Sequence, residues 1–224
     1  MKIRLLALAA FASMSLSAQA VEVVALWDFN SGTTKHTQSA NGASFATVGG
    51  VTTTFAAGLS STQALNTATY AANGANQSMG VQFMIDTTGY TDLSFSFSQR
   101  NSNTASAYSA LKYTLDGTTW ITATTLLTPA GTGFTSHSFS FASIVGANNN
   151  ANFGIQLVAS YAPGGSAYQA TAAGSSFGAS GTIRYENVTL SGTAIPAVPE
   201  PQTYALMLAG LGVVTTVARR RRSA

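Results

Sequence analysis

Acid–base chemistry near neutrality most often runs through histidine, and this chain has two, His36 and His137. His36 lies in a polar stretch beside Lys35. His137 shares the parity of Phe139 and Phe141, which puts it at the end of a buried face. Neither is accompanied by a Gly-x-Ser-x-Gly elbow or a phosphate loop. Two carboxylates facing each other across a cleft can hydrolyse a glycoside. Glu22, Asp28 and Glu186 fall on the first and last strands, which an antiparallel sandwich can make neighbours. Asp86, Asp92 and Asp116 fall at strand ends or turns, where aspartate has an ordinary structural task. No catalytic set emerges, and the expectation is a protein that is not an enzyme. Asp28 and Glu186 are the one candidate pair for a metal, a structural calcium ion. Calcium takes several oxygen ligands, backbone carbonyls included, and no compact acidic loop supplies the rest. No other cofactor is indicated. The chain has no cysteine, so thiolate zinc sites and disulfides are excluded.

Sugar recognition uses an exposed aromatic platform with hydrogen-bonding groups beside it. Tyr108, Tyr161 and Tyr168 are candidate ligand contacts. Tyr161 and Tyr168 bracket Pro163-Gly164-Gly165, a loop signal. Trp120 is expected to pack in the core.

The elements that hold these residues have a period of two, which marks strands with one buried face. Leu93, Phe95 and Phe97 alternate with Ser94, Ser96 and Ser98. Leu111, Tyr113 and Leu115 alternate next, and Asp116-Gly117 turns the chain into Thr118 to Ala123. Phe139 and Phe141 alternate with Ser138 and Ser140, and Phe153, Ile155 and Leu157 form a further strand. Val21 to Phe29, Val51 to Phe55, the apolar run Gly80 to Ile85 and Thr182 to Leu190 complete the set. Eight to ten strands and no amphipathic helix predict an all-β fold, an antiparallel β-sandwich of jelly-roll type. Thr33 to Ala43, Ser60 to Asn76 and Ala159 to Ser180 read as loops. Their length makes them functional or mobile.

Net charge +3 and pI 9.3 suggest a basic protein. The ends produce that figure. Lys2, Arg4 and Arg219 to Arg222 lie outside the strand-forming segment. Between Val21 and Pro201 stand four cations, Lys35, Arg100, Lys112 and Arg184, against seven acids, a net charge of −3. Four scattered cations make no patch that could displace counterions from a nucleic acid. Nucleic acid is therefore excluded as a partner.

Residues 1–20 have the order of a secretory signal: Lys2 and Arg4, an apolar run from Leu5, then Ala18-Gln19-Ala20. Cleavage is expected between Ala20 and Val21, with Ala18 and Ala20 as the small residues read by the peptidase. The domain then occupies 21–194 and a linker 195–203. Within that linker Val198-Pro199-Glu200-Pro201 is a stiff extended stop. Residues 204–218 are uncharged and apolar, and are read as a transmembrane helix. They are fewer than the roughly 20 residues that cross a bilayer core. The arginines of the basic tail, 219–224, can snorkel to headgroups and extend a short span. A basic cluster favours the cytoplasmic side, so the domain before it lies outside.

Taken in order, Val198, Pro199, Glu200 and Pro201, then Leu206 with Gly210-Leu211, then Arg219, Arg220, Arg221 and Arg222 resemble the PEP-CTERM sorting signal of Gram-negative bacteria. The resemblance implies an exosortase as processing partner and a transient membrane anchor. It also implies export through the inner membrane to the cell surface or the extracellular polysaccharide. Separately, Trp27-Asp28-Phe29-Asn30, Tyr113 to Trp120 and Arg184 to Val188 resemble jelly-roll ectodomains of secreted bacterial proteins. Carbohydrate-binding and lectin-like modules use similar sandwiches. The favoured expectation is a non-enzymatic surface or matrix protein associated with exopolysaccharide or biofilm. A secreted carbohydrate-binding module is the first alternative and a cryptic glycoside hydrolase the second.

Overall fold

The computed structural model describes residues 19–196 and 201–221. Residues 1–18 of the expected signal, Ala18 included, lie outside the described residues, as do Val198, Pro199, Glu200 and Arg222. Contacts divide the chain into two units, Met1–Ala194 and Ile195–Ala224.

The first unit is a sandwich of two antiparallel sheets. One sheet runs in the order β10 (Thr135–Ser140), β7 (Tyr90–Asn101), β12 (Ile183–Ala194), β1 (Val21–Trp27), β2 (Gln38–Ser39). Two more strands extend it, because β5 (Gln63–Ala68) pairs with β12 and β4 (Thr52–Ala57) with β5. The other sheet runs β3 (Ala43–Val48), β6 (Gly80–Ile85), β11 (Gly154–Ser160), β8 (Tyr108–Thr114), β9 (Ile121–Leu127). β12 is the hub of the first sheet. One edge pairs with β7, and the other pairs first with β5 through Ile183–Tyr185 and then with β1 through Val188–Thr193. A register shift separates the two stretches, and Asn187 sits there at φ 51°. Asparagine tolerates this left-handed conformation better than most residues.

The alternation seen in the sequence becomes the core. Leu93, Phe95 and Phe97 face inward, while Ser94 and Ser96 face solvent. Trp27 meets Phe83 edge-on at 4.8 Å, and Phe141 meets Phe153 at 5.2 Å. Each such buried side chain contributes roughly 1.5–3 kcal/mol by leaving water. The jelly-roll β-sandwich expected from the pattern is the fold observed.

Several boundaries differ from expectation. β5 lies within 60–76, a stretch read as loop. Gln63-Ala64-Leu65-Asn66-Thr67-Ala68 has few β-branched residues, yet it is sandwiched between β4 and β12. β3 is also a strand that the pattern did not single out. β9 begins at Ile121, not Thr118, because the Asp116 carboxylate takes the N–H groups of Thr118 and Thr119 at 2.8 and 2.6 Å. Those bonds hold its carboxyl well below the usual carboxylate range. Gly117, at φ 78°, supplies the left-handed turn residue. Trp120 is half-exposed and lies outside the core cluster, contrary to expectation.

In the second unit, α1 (Pro201–Arg220) starts on a proline, whose missing N–H costs nothing at a first helical position. The helix outruns the 204–218 stretch at both ends. Thr215 and Thr216 turn their hydroxyls back onto the Gly212 and Val213 carbonyls at 2.8 Å. Among the described residues, no helix is long and apolar enough to cross a membrane. The transmembrane reading of 204–218 therefore gains no support from the structure. Glycines and threonines dilute the apolar stretch that the reading depended on.

Candidate functional site

The loop after β11, residues 161–181, is not free-standing. Its first half runs antiparallel to 103–107: Ala107 N–H donates to Gln169 O at 2.8 Å, Thr171 N–H to Ala105 O at 2.9 Å, and Ala172 N–H to Asn103 O at 3.0 Å. Its second half returns to the same segment, with Gly178 N–H on Thr104 O at 3.2 Å and Ser102 N–H on Thr182 O at 2.9 Å. A buried polar cluster lies against that segment. Gln99 Nε2 donates to Asn101 Oδ1 and Ser109 Oγ at 2.8 and 3.1 Å, and Asn101 Nδ2 donates to Ser106 O at 2.7 Å. The Ser106 hydroxyl reaches Ser160 O at 2.9 Å. Gln99 and Asn101 continue the inward parity of Leu93, Phe95 and Phe97, so at this end the interior changes from aromatic to amide. The amide N–H groups of this cluster are paired and tie the segment in place, while Gln99 Oε1 is buried without a partner.

On this platform the structure brings Tyr161 and Tyr168 together. Their rings meet edge-on at 4.8 Å, and Tyr168 stacks on Phe177 at 4.3 Å and 27°. The Tyr168 hydroxyl donates to Ala75 O at 2.7 Å, and Tyr161 N–H donates to Asn76 Oδ1 at 2.9 Å. The 71–78 connection thereby braces both tyrosines. Burial and the neighbouring Tyr161 push the Tyr168 phenol up to about 12, so it stays a neutral donor. Tyr168 and Phe177 line an open groove of about 700 Å³, together with Ala72, Ser166, Gln169 and Ser175. No charged side chain lines it. Two stacked rings with hydroxyl and amide groups alongside can hold a neutral, hydroxylated ring by its apolar face.

Tyr108 is not part of this groove. It lies on the outer face of the second sheet, opposite Ser160 and Leu127, and is half-buried there. Phe177 belongs to the site and was not legible as such, because it stands alone among Ser, Gly and Ala in a loop.

The expected calcium pair has separate partners. Glu186 is buried, and its carboxylate accepts the Leu59 N–H at 2.6 Å and the Thr62 hydroxyl. Asp28 caps its own turn through Asn30 N–H at 3.1 Å. Among the described residues no three His, Cys, Asp or Glu side chains gather as a metal set. Both Glu186 oxygens already face donors, and Asp28 is turned to its own loop. Glu22 accepts from the Tyr90 hydroxyl at 3.3 Å, and Asp86 accepts from Thr88 N–H at 2.9 Å. His137 packs on Phe97 at 5.2 Å and shares a 3.0 Å hydrogen bond with Thr128, as its parity predicted. His36 is exposed beside a groove of about 410 Å³ that also touches Lys35 and Phe45.

Two of the four cations described as scattered are direct cross-strand neighbours. Arg100 of β7 faces Arg184 of β12 in the antiparallel register. The sequence could not show this, because register, not spacing, pairs them.

Residues 197–222 match the family described as PEP-CTERM protein-sorting motif. A comparison with curated proteins finds no match. Solved structures with a similar sandwich include the CBM22-1-CBM22-2 tandem domain of Paenibacillus barcinonensis Xyn10C, with TM-score 0.50 and 13% identity, over 82% of this chain and 49% of that one. The CBM22-1 xylan-binding domain of the same protein gives TM-score 0.46 and 15% identity, over 81% of this chain and 100% of that one. The CBM22-1-GH10 modules of Clostridium thermocellum xylanase 10B give TM-score 0.46 and 14% identity, over 70% of this chain and 27% of that one. The chain thus spans about a quarter to a half of the first two longer structures it resembles. It carries a PEP-CTERM sorting motif behind a jelly-roll sandwich whose structural neighbours are CBM22 domains. The motif indicates export and a membrane-anchored sorting signal, and it implies processing by an exosortase.

Proposed function

We propose that this chain is an exported, non-enzymatic surface protein of a Gram-negative bacterium whose sandwich binds carbohydrate and holds to exopolysaccharide. The observation that carries this reading is the Tyr161–Tyr168–Phe177 cluster at the open groove. The fold, shared with modules named for carbohydrate binding, supports it. A glycosidase needs two carboxylates across a cleft, and no Asp or Glu lines the grooves beside Tyr168, Arg100 or His36. Exosortase would release the sandwich at the Val198–Pro201 segment, leaving it on the surface or in the matrix.

The test is a glycan array probed with the full-length chain, followed by Tyr168→Ala. A stacked aromatic contact contributes about 0.5–1.5 kcal/mol beyond its area, so the variant loses roughly three- to tenfold in affinity for the best neutral glycan. Absence of any neutral glycan ligand would overturn the assignment of the Tyr168 groove as a sugar site. Replacing Pro199, Glu200 and Pro201 by alanine should retain the protein in the inner membrane. Unchanged location, followed by cell fractionation, would overturn the sorting reading.

A further inference from the structure

On the outer face of the first sheet, one row crosses four strands: Arg100 on β7, Arg184 on β12, Asn66 on β5 and Thr54 on β4. Adjacent strands lie roughly 4.8 Å apart, which brings the two arginine stems side by side. Like charges placed directly opposite each other destabilise a sheet. Among the described residues, no carboxylate neutralises either guanidinium. Arg184 is held by neutral acceptors, its Nη1 on Ala57 O at 2.9 Å and its Nε on Asn66 Oδ1 at 3.4 Å. Glu186, two residues along the same face, is turned to Leu59 and Thr62. Arg100 donates to no group of the described residues and lines a groove of about 490 Å³ with Ser102, Asn103, Thr104, Thr132 and Ser180. A small recess lined by Arg100, Ser102, Thr182 and Arg184 opens beside it.

This pair stands in a domain whose other charges are few and mostly negative. An acidic domain repels anions at long range, so two unpaired arginines held together need a local reason. The planar fork of arginine matches a carboxylate with two parallel hydrogen bonds. The remaining lining is hydroxyl and amide, the groups that meet sugar hydroxyls. There is no aromatic ring for a base to stack on, as single-stranded nucleic acid requires.

We propose that Arg100 and Arg184 form a second site, separate from the Tyr168 groove, that binds the carboxylate of a uronic acid within an acidic polysaccharide. The bound carboxylate bridges the two guanidinia and removes their repulsion, while Ser102, Asn103 and Thr132 contact hydroxyls of the same chain. The site deepens the carbohydrate reading by naming a ligand class, and it does not depend on the aromatic groove.

The test measures binding of the full-length chain to polygalacturonate, to the same polymer fully methyl-esterified, and to single-stranded DNA. Polygalacturonate should bind, and its affinity should fall as salt rises. Losing one charge-assisted pair of bonds weakens binding by about tenfold or more, so Arg100→Gln should lose at least that. Because the Arg100 side chain donates no hydrogen bond to the described residues and faces a like charge, that variant should keep or raise its melting temperature, which separates lost binding from lost folding. Lys35→Gln combined with Lys112→Gln removes the same kind of charge elsewhere and should leave binding unchanged. Equal binding of the methyl ester, equal binding of DNA, or full binding by Arg100→Gln would overturn the proposal. Polygalacturonate binding that survives Tyr168→Ala while Arg100→Gln abolishes it upholds this site even where the array shows no neutral ligand. A neutral ligand without polygalacturonate binding upholds the aromatic groove and overturns this site.

Discussion

One groove beside the 161–181 loop is walled by Tyr168 and Phe177 and contains no charge. The other, beside Ser180 of the same loop, is walled by Arg100 with hydroxyls and amides and contains no aromatic ring. Both rest on the 101–107 segment, so a single piece of backbone positions two kinds of chemistry. Aromatic stacking is indifferent to salt, whereas guanidinium pairing weakens as salt screens it. A protein with both could hold neutral and acidic polymers under different conditions. The comparison also shows how few residues are needed, since the supporting hydrogen bonds are mostly backbone and buried amide.

Gly181→Ala should break both grooves at once. A Cβ there would lie 2.6 Å from Thr104 O and 2.8 Å from Ala105 Cα, both backbone atoms. The loop must shift, at a cost of about 1–3 kcal/mol for such overpacking. Calorimetry should show a lower melting temperature, and both neutral and acidic glycan binding should weaken. Loss of only one would mean that the grooves are supported independently.

High pH should destabilise the sandwich as a whole, more gradually. Tyr70 is fully buried against Thr67, and burial pushes its phenol from 10.0 up to about 12. A folded-state value above the unfolded one means the contribution is complete below about pH 10 and is lost as pH rises towards about 12. Two units correspond to about 3 kcal/mol. Tyr185, buried beside it and raised by the same cause, acts in the same direction. Guanidinium unfolding midpoints should fall between about pH 10 and about pH 12, and Tyr70→Phe should flatten that slope. An unchanged slope in the variant would assign the alkaline loss elsewhere.

Asp116→Asn should produce the smallest effect and serves as the distant control. Its turn lies at the other end of β8 from both grooves. The carboxyl of Asp116 is depressed in the folded state, so its contribution is present above the ordinary aspartate range and is lost on acidification. Asparagine should lower the urea midpoint slightly at neutral pH and erase the acid dependence. Both binding activities should stay intact, and a change in either would show that the two ends of the sandwich communicate.

The sandwich was legible wherever one face of a strand is apolar and the other is serine or threonine, as in 93–98 and 138–141. It was not legible at β5, where both edges are paired and the residues are small and mixed. The Tyr161–Tyr168 pair was legible because Pro163-Gly164-Gly165 between them marks a tight loop. Phe177 was not, because its neighbours carry no period. The arginine pair depends on cross-strand register, which arises only after β7 and β12 have found each other. Asp28 and Glu186 show the reverse case, since each carboxylate is occupied by hydrogen-bond donors that spacing did not reveal. The Glu186 oxygens are claimed by Leu59 and Thr62, in a stretch with no acidic residue to mark it.

β12 is the last strand of the sandwich in the chain, yet β1, β5 and β7 all pair with it. No fragment that ends before Ile183 can close the first sheet, because the strand that joins its parts has not been made. Formation of that sheet therefore waits for the full domain, and pairing β1 with β12 spans almost its whole length. Contacts so far apart in sequence form slowly. The first sheet of a nascent chain of this design therefore stays open until its sorting tail is about to emerge, whereas the second sheet has all its strands by Ser160.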